Sequence, residues 1–381
     1  MLCCERLGAA ACAVLLCSLG AGVFTGWSTS PAAAQSIIEF ALKDNAQPRG
    51  ITTGPDNALW FADANRQSIG RITTDGTLTE FDTPTVRTVP LGIALGSDGN
   101  LWFTENAAQA IGRITPDGQI IERQIATDRA RPYGITAGPD GNLYFTEDGG
   151  SRIGRITPEG TVTEVPLTPL SGPRGITLGP DGNLWFTAFD ADRIGRMTPS
   201  GTVDTFALTF NSGPIAIATG HDGNLWFTEA TSRRIGRLSP DGQLAEFLPL
   251  GGRGLDGITA GPDGNIWFAE HDSDRIGRIT PIGEVTEFQL GAGSGPSGIT
   301  TGPDGNIWFT EADGHNIGRI NIRSIPTSTP TATVIPTGTP GTPTTPPTPG
   351  TPSATSTPSG FAPATVMVAR TALPSTNCLR W

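Results

Sequence analysis

Cysteine is nearly absent where a fold could use it. Of five cysteines, Cys3, Cys4, Cys12 and Cys17 lie at the extreme N-terminus and Cys378 lies close to the C-terminus. Once a leader is removed a single thiol remains, which excludes an intrachain disulfide and a cysteine-based zinc site. Packing alone must therefore hold the fold. Charge is sparse too, at 16% of residues, and its balance is acidic: 25 Lys and Arg against 36 Asp and Glu, a formal net charge of −11. Phosphate backbones and anionic lipid surfaces would be repelled, which argues against a nucleic-acid or membrane-surface partner and for cations or a small ligand. Histidine is rare, with three in the chain. No apolar stripe of period 3.6 survives the spacing of 51 glycines and 33 prolines, so helical architecture is excluded.

The long apolar run that does exist spans residues 7–23, follows Arg6, and leads to SPAAAQS, where Ala32 and Ala34 sit as in an A-x-A cleavage site. Residues 1–34 read as a secretory signal, so the chain is expected to be extracellular or associated with the cell envelope. From Ser324 the composition changes to proline and threonine, with almost no large apolar side chain. Residues 324–381 are expected to be a disordered spacer, since they cannot bury enough surface to offset the entropy of ordering.

Between these ends the chain repeats itself. A word close to P-x-G-I-T begins at Pro48, Pro90, Pro132, Pro173, Pro214, Leu255 and Pro296. An aromatic pair follows each time: Trp60-Phe61, Trp102-Phe103, Tyr144-Phe145, Trp185-Phe186, Trp226-Phe227, Trp267-Phe268 and Trp308-Phe309. Then comes I-G-R, and after it a word resembling L-T-E-F. Each unit of about 41 residues thus holds four short apolar runs separated by Asp-Gly, Gly-Asn and Pro-Asp turns, the pattern of a β-propeller blade. The aromatic pairs and the I-G-R arginines recur in every unit and are expected to pack blade against blade.

The fourth word settles closure. IIEF at 37–40 stands before the first unit, while the last unit stops after IGRINI without a copy of its own. An all-β, seven-bladed propeller over residues 35–323 is expected, closed by the N-terminal strand filling the outer edge of the seventh blade, and monomeric.

Function should lie where the repeats differ. The x position of the first word reads Arg49, Leu91, Tyr133, Arg174, Ile215, Asp256 and Ser297. The residue after W-F-T reads Asp63, Glu105, Glu147, Ala188, Glu229, Glu270 and Glu311. Antiparallel pairing brings both sets to one face, and two rings around one mouth are expected. The mixed x ring, with Arg49, Tyr133, Arg174 and Ser297, suits a small-molecule, peptide or glycan ligand. The carboxylates, Glu270 and Glu311 among them, suit a hard cation such as Mg²⁺, or pair with neighbouring arginines. Asp256, His271 and His315 stand in adjacent blades and are the candidates for acid–base chemistry.

The words W-F-T-E, I-G-R-I-T and P-x-G-I-T in seven units resemble those of the streptogramin B lyase (virginiamycin B lyase) family, over about residues 37–322. The resemblance implies a seven-bladed propeller that linearises a cyclic depsipeptide antibiotic by elimination at its ester bond, with Mg²⁺ and a catalytic histidine as general base. In that family histidines occupy the x position of the last two P-x-G-I words, and a glutamate stands two residues before the final one. Here those positions hold Asp256, Ser297 and Gly295, and no x position is histidine. Glu311 stands near the family's other carboxylate. His221 falls in a turn on the opposite face, and His271 and His315 near the mouth. Two readings remain open: a ligand-binding or scaffold module whose lyase chemistry is lost or altered, and a divergent metal-dependent carbon–oxygen lyase.

Overall fold

The computed structural model describes residues 37–249 and 251–322; the leader and the Pro/Thr-rich tail lie outside the described residues. The strands form seven four-stranded antiparallel sheets. In the first blade they run, from the channel outward, Pro48–Thr53, Leu59–Asp63, Ser68–Ile72 and Leu78–Asp82. The seventh blade takes Pro296–Thr301, Ile307–Glu311 and Asn316–Ile320 from the end of the repeat, and Ile37–Ala41 from its beginning. Ile37 lies opposite Ile320 and Ala41 opposite Asn316, so the ring closes by strand exchange as the displaced IIEF word predicts.

The turn chemistry explains the hairpins. The glycines of the G-S/P/H-D-G-N turns, Gly99 to Gly305, take φ between +72° and +80°, and Asn57 fills that turn in the first blade at φ +56°. The left-handed region costs glycine nothing and asparagine little. The aspartate of the same turn anchors the aromatic pair: Trp60 Nε1 donates to Asp56 at 3.0 Å, Trp185 to Asp181 at 2.9 Å, and Tyr144 Oη to Asp140 at 3.0 Å. The I-G-R arginines lie over the same rings, Arg196 at 5.5 Å from Trp185 and Arg319 at 5.2 Å from Trp308. They also reach the neighbouring blade, Arg113 donating to the Pro158 carbonyl at 3.2 Å and Arg319 to that of Thr74 at 2.7 Å. The glycine of I-G-R is obligatory, because the Phe61 ring covers Gly70 so closely that a Cβ there would meet it at 2.0 Å.

Burial follows the blade interfaces. The tryptophan of one blade packs against the phenylalanine and isoleucines of the next: Trp60 with Ile93, Leu101 and Phe103, and across the closure Trp308 with Ile51, Leu59 and Phe61. Each such aromatic removes on the order of 150–250 Å² from water. No disulfide is needed, because the strand-exchanged blade is joined by the same packing as the other six.

One irregularity positions the site. In every blade the register slips between the first word's opening residue and its isoleucine; Pro132 pairs with Glu147 but Ile135 with Phe145. The x residue and the one after it, glycine in six blades and Ala216 in the fifth, therefore form a β-bulge facing a single residue of the second strand, and a bulge re-aims the side chain it carries. Glycine suits this position because the inner strands crowd together there: a Cβ on Gly50 would meet the Leu91 carbonyl at 2.5 Å.

Candidate functional site

The bulges aim six of the seven x residues into one cavity. Arg49, Leu91, Tyr133, Ile215, Asp256 and Ser297 line a space of about 360 Å³ at the mouth of the channel. The threonine of W-F-T holds the bulge in place in five of the seven blades. Thr146 accepts from the Gly134 amide at 2.9 Å and donates to the Arg174 carbonyl of the next blade at 2.6 Å. Thr104, Thr187, Thr228 and Thr310 do the same, Thr310 reaching the Arg49 carbonyl at 2.8 Å across the closure. These hydroxyls satisfy backbone groups that the bulge withdraws from the ladder. They set where the x residues stand, a role the repeat alone did not reveal. The available signal was that threonine gives way to alanine in two blades, at Ala62 and Ala269.

Inside the cavity Ser297 Oγ donates to Asp256 Oδ2 at 2.7 Å. The two positions that hold histidine in the resembled family are therefore bonded to each other. Tyr133 faces both signs of charge. Burial first, and then the Asp256 carboxylate, push its phenol up to about 12, against the pull of Arg174 and Arg49. It keeps its proton and serves as a donor. Arg49 makes no ion pair among the described residues, so its guanidinium is available to a ligand. Arg174 turns aside. Its guanidinium carbon lies 3.6 Å from the centre of the Phe189 ring, and its Nε lies 3.5 Å from Asp148. It walls the mouth and leaves Tyr133, 5.8 Å beneath it, to line the cavity.

The second expected ring is not at the mouth. Asp63, Glu105, Glu147, Glu229, Glu270 and Glu311 are buried, each at most 1% exposed. The reason is alternation along the second strand: the threonine faces the next blade's inner strand, so the acid that follows it faces the other way. There it meets a second acid from the outer strand, Glu105 beside Glu122 and Glu270 beside Glu287. Burial first, and then these like charges, push Glu105 and Glu147 up to about 8 and Glu270 to about 7. Burial likewise lifts Glu229 and Glu311 to about 7.

These residues do not fit Mg²⁺. Neither carboxyl oxygen of Glu270 has a hydrogen-bond partner, and Glu311 has one, the Asn316 amide at 2.8 Å. Both hold a proton more tightly than an ordinary carboxylate, whereas a hard dication needs them ionised. Among the described residues no three His, Cys, Asp or Glu side chains come together as a metal-binding group.

The histidines separate as well. His271 sits in a single turn of 3₁₀ helix, His271–Ser273, with Nδ1 3.2 Å from Asp272 and Nε2 3.5 Å from Asp313. His315 occupies the left-handed position of the turn between second and third strands, φ +55°, and its Nδ1 bonds the Ala46 carbonyl. The equivalent positions Gln67, Gln109 and Asp274 take the same conformation, so His315 fills a turn common to all blades. His221 bonds the Gly261 carbonyl at 3.1 Å, in the first turn of its blade as its place in the repeat predicts. The expected cluster of Asp256, Glu270, His271, Glu311 and His315 is thus distributed: Asp256 in the cavity, the glutamates behind it, and the histidines on loops. Gly295 stands at φ +53°, where a side chain is strained, and a Cβ would meet Asp313 at 2.7 Å.

Comparison with known proteins agrees with the blade words. The model of the virginiamycin B lyase family matches residues 32–170 and 167–343. A streptogramin B lyase structure superposes with a TM-score of 0.73 at 37% identity, covering 77% of this chain and 99% of that one. Virginiamycin B lyase from Staphylococcus aureus gives 0.72 at 38% identity, covering 76% and 99%. A catalytically inactive histidine-to-alanine variant of that enzyme, solved with quinupristin, gives the same values. No curated protein sequence matches the chain. With the family model spanning every blade and these structures covered almost end to end, the chain belongs to the virginiamycin B lyase family.

Proposed function

We propose that this protein is an exported propeller that binds a small polar ligand of peptide-like chemistry at its channel mouth, without the lyase reaction of its relatives. One observation carries the reading: Asp256 and Ser297, in the slots where the family places histidine, are hydrogen-bonded to each other within a cavity that also presents an unpaired Arg49. Abstraction of a proton next to a carbonyl needs a base that is free and titrates near the working pH, a contribution of roughly 10²–10⁴-fold. Serine cannot supply it, and the Asp256 carboxylate is engaged by that serine's hydroxyl rather than free. The same groups suit recognition. Arg49 offers a fork to a carboxylate, Tyr133 a donor, Asp256 an acceptor, and Leu91 and Ile215 an apolar wall.

A second reading is favoured by His271, a histidine whose imidazole is held between Asp272 and Asp313 on a loop. It keeps a divergent carbon–oxygen lyase as the alternative.

A single experiment separates the two. Quinupristin is incubated with the protein, with and without Mg²⁺. Ring opening is followed by chromatographic retention and fragmentation, since elimination leaves the mass unchanged. Binding is measured by calorimetry in the same solutions. Saturable binding weakened by Arg49→Gln, with no linear product, is the expected result. Linear product that disappears in His271→Ala would establish the alternative.

A further inference from the structure

Blade 4 breaks a pattern kept by the blades beside it. In blades 3, 5 and 6 an arginine of the third strand accompanies two glutamates, one closing the second strand and one on the outer strand: Arg152 with Glu147 and Glu164, Arg234 with Glu229 and Glu246, Arg275 with Glu270 and Glu287. The arginine pairs with the outer glutamate at 4.0 Å in blade 3 and 2.8 Å in blades 5 and 6. A donor from the preceding loop completes the cradle. Thr127 reaches Glu164 at 2.7 Å, Thr209 reaches Glu246 at 2.9 Å, and the Gly251 amide reaches Glu287 at 2.6 Å.

Blade 4 keeps the donors and drops both acids. Ala188 closes its second strand and Thr205 replaces the outer glutamate, while Arg193 keeps the arginine's place and Thr168 that of Thr127 and Thr209. Arg193 makes no ion pair among the described residues and donates to Thr205 Oγ1 at 3.2 Å. The missing side chains leave a cavity of about 300 Å³, with Leu167, Phe186 and Val203 on its apolar side and Thr168, Ser171 and Arg193 on its polar side. Ser171 is 4% exposed, and its hydroxyl has no hydrogen-bond partner. A buried hydroxyl left unpaired is costly, and a guanidinium without a counter-charge is a ready partner for two oxygens.

We infer that this cleft, separate from the channel mouth, binds a small organic carboxylate. The ligand's charged end takes the place of the absent glutamates on Arg193, Thr168 and Ser171, and its apolar body lies on Phe186 and Val203. The neighbouring blades serve as internal controls, since each fills the same place with its own acid.

Benzoate, titrated into the full chain and followed by saturation-transfer NMR and calorimetry, tests this. Saturable binding is expected, with the uncharged isostere benzamide at least about tenfold weaker. Arg193→Gln, a change to an exposed side chain, weakens benzoate by a similar factor. Ala188→Glu, which returns the blade's own acid, abolishes binding. Absence of saturable binding at millimolar benzoate overturns the proposal. So does equal affinity for benzamide, or undiminished binding to Arg193→Gln, which needs no change in the core and so reports even where Ala188→Glu fails to fold.

Discussion

Two sets of residues face each other across the bulge of every blade, and they have opposite fates. Six of the x residues line an open cavity; the six acids closing the second strand are buried, and Glu105, Glu147 and Glu270 have neither carboxyl oxygen hydrogen-bonded. Both sit at the same end of the blade, and Pro132 is paired directly with Glu147. A shared face of the ring therefore does not mean a shared environment. The bulge turns one side chain toward the channel, and strand alternation turns the other toward the outer strand of its own blade. The interior between blades, by contrast, is the same seven times over, and each layer depends on its neighbours to a different degree.

The largest effect belongs to the repeated layer. Trp226 is fully buried, packs against Leu255, Ile258 and Phe268 of the next blade, and bonds Asp222 at 3.1 Å. Trp226→Ala should cost about 3–5 kcal/mol, read as a fall in the urea midpoint. A loss under 1 kcal/mol would mean that the blades are not joined by these aromatics.

Next is the threonine behind the bulge. Thr146→Val keeps the volume and removes one acceptor and one donor, leaving the Gly134 amide and the Arg174 carbonyl unsatisfied. A loss of about 1–3 kcal/mol is expected, together with weaker ligand binding at the mouth, because Tyr133 stands on that bulge. Lost stability with unchanged binding would show that the bulge is held without Thr146.

The layers differed in how far they could be read from the sequence. Repetition made the fold legible: the spacing of the aromatic pairs set seven blades, and the displaced IIEF word gave the closure before any coordinate. The channel ring was legible as positions, since antiparallel pairing places all x residues at one end. The orientation of the acids was not. A period of two assigns Thr146 and Glu147 to opposite faces, but deciding which face meets the channel requires the bulge between Pro132 and Ile135, and that register shift leaves no mark beyond a glycine. His315 misled for a similar reason, because its left-handed turn position is shared with Gln67 and Gln109 and is seen only in the backbone. The vacated cradle in blade 4 was written in the sequence as Ala188 and Thr205. It acquired meaning only when the structure showed which donors those substitutions left behind.

The smallest effect is the one that distinguishes the two rings by titration. Glu105 has neither oxygen bonded, and burial with the Glu122 charge beside it lifts it to about 8. In the unfolded chain it titrates near the ordinary glutamate value of about 4.3. The folded state then holds more protons than the unfolded state between these values, so stability is full at low pH within this window and falls as pH rises through it. Glu147, raised to about 8, and Glu229, Glu270 and Glu311, raised to about 7, add to the same slope. Melting temperature should decline from pH 5 to pH 8, opposite to the trend for proteins held by ionised carboxylates. Glu105→Gln removes one contributor: it should leave stability at pH 5 nearly unchanged and raise it at pH 8 by on the order of 1 kcal/mol. A slope that persists undiminished in Glu105→Gln would show that this acid does not titrate in the window, and would overturn its place in a sealed, buried ring.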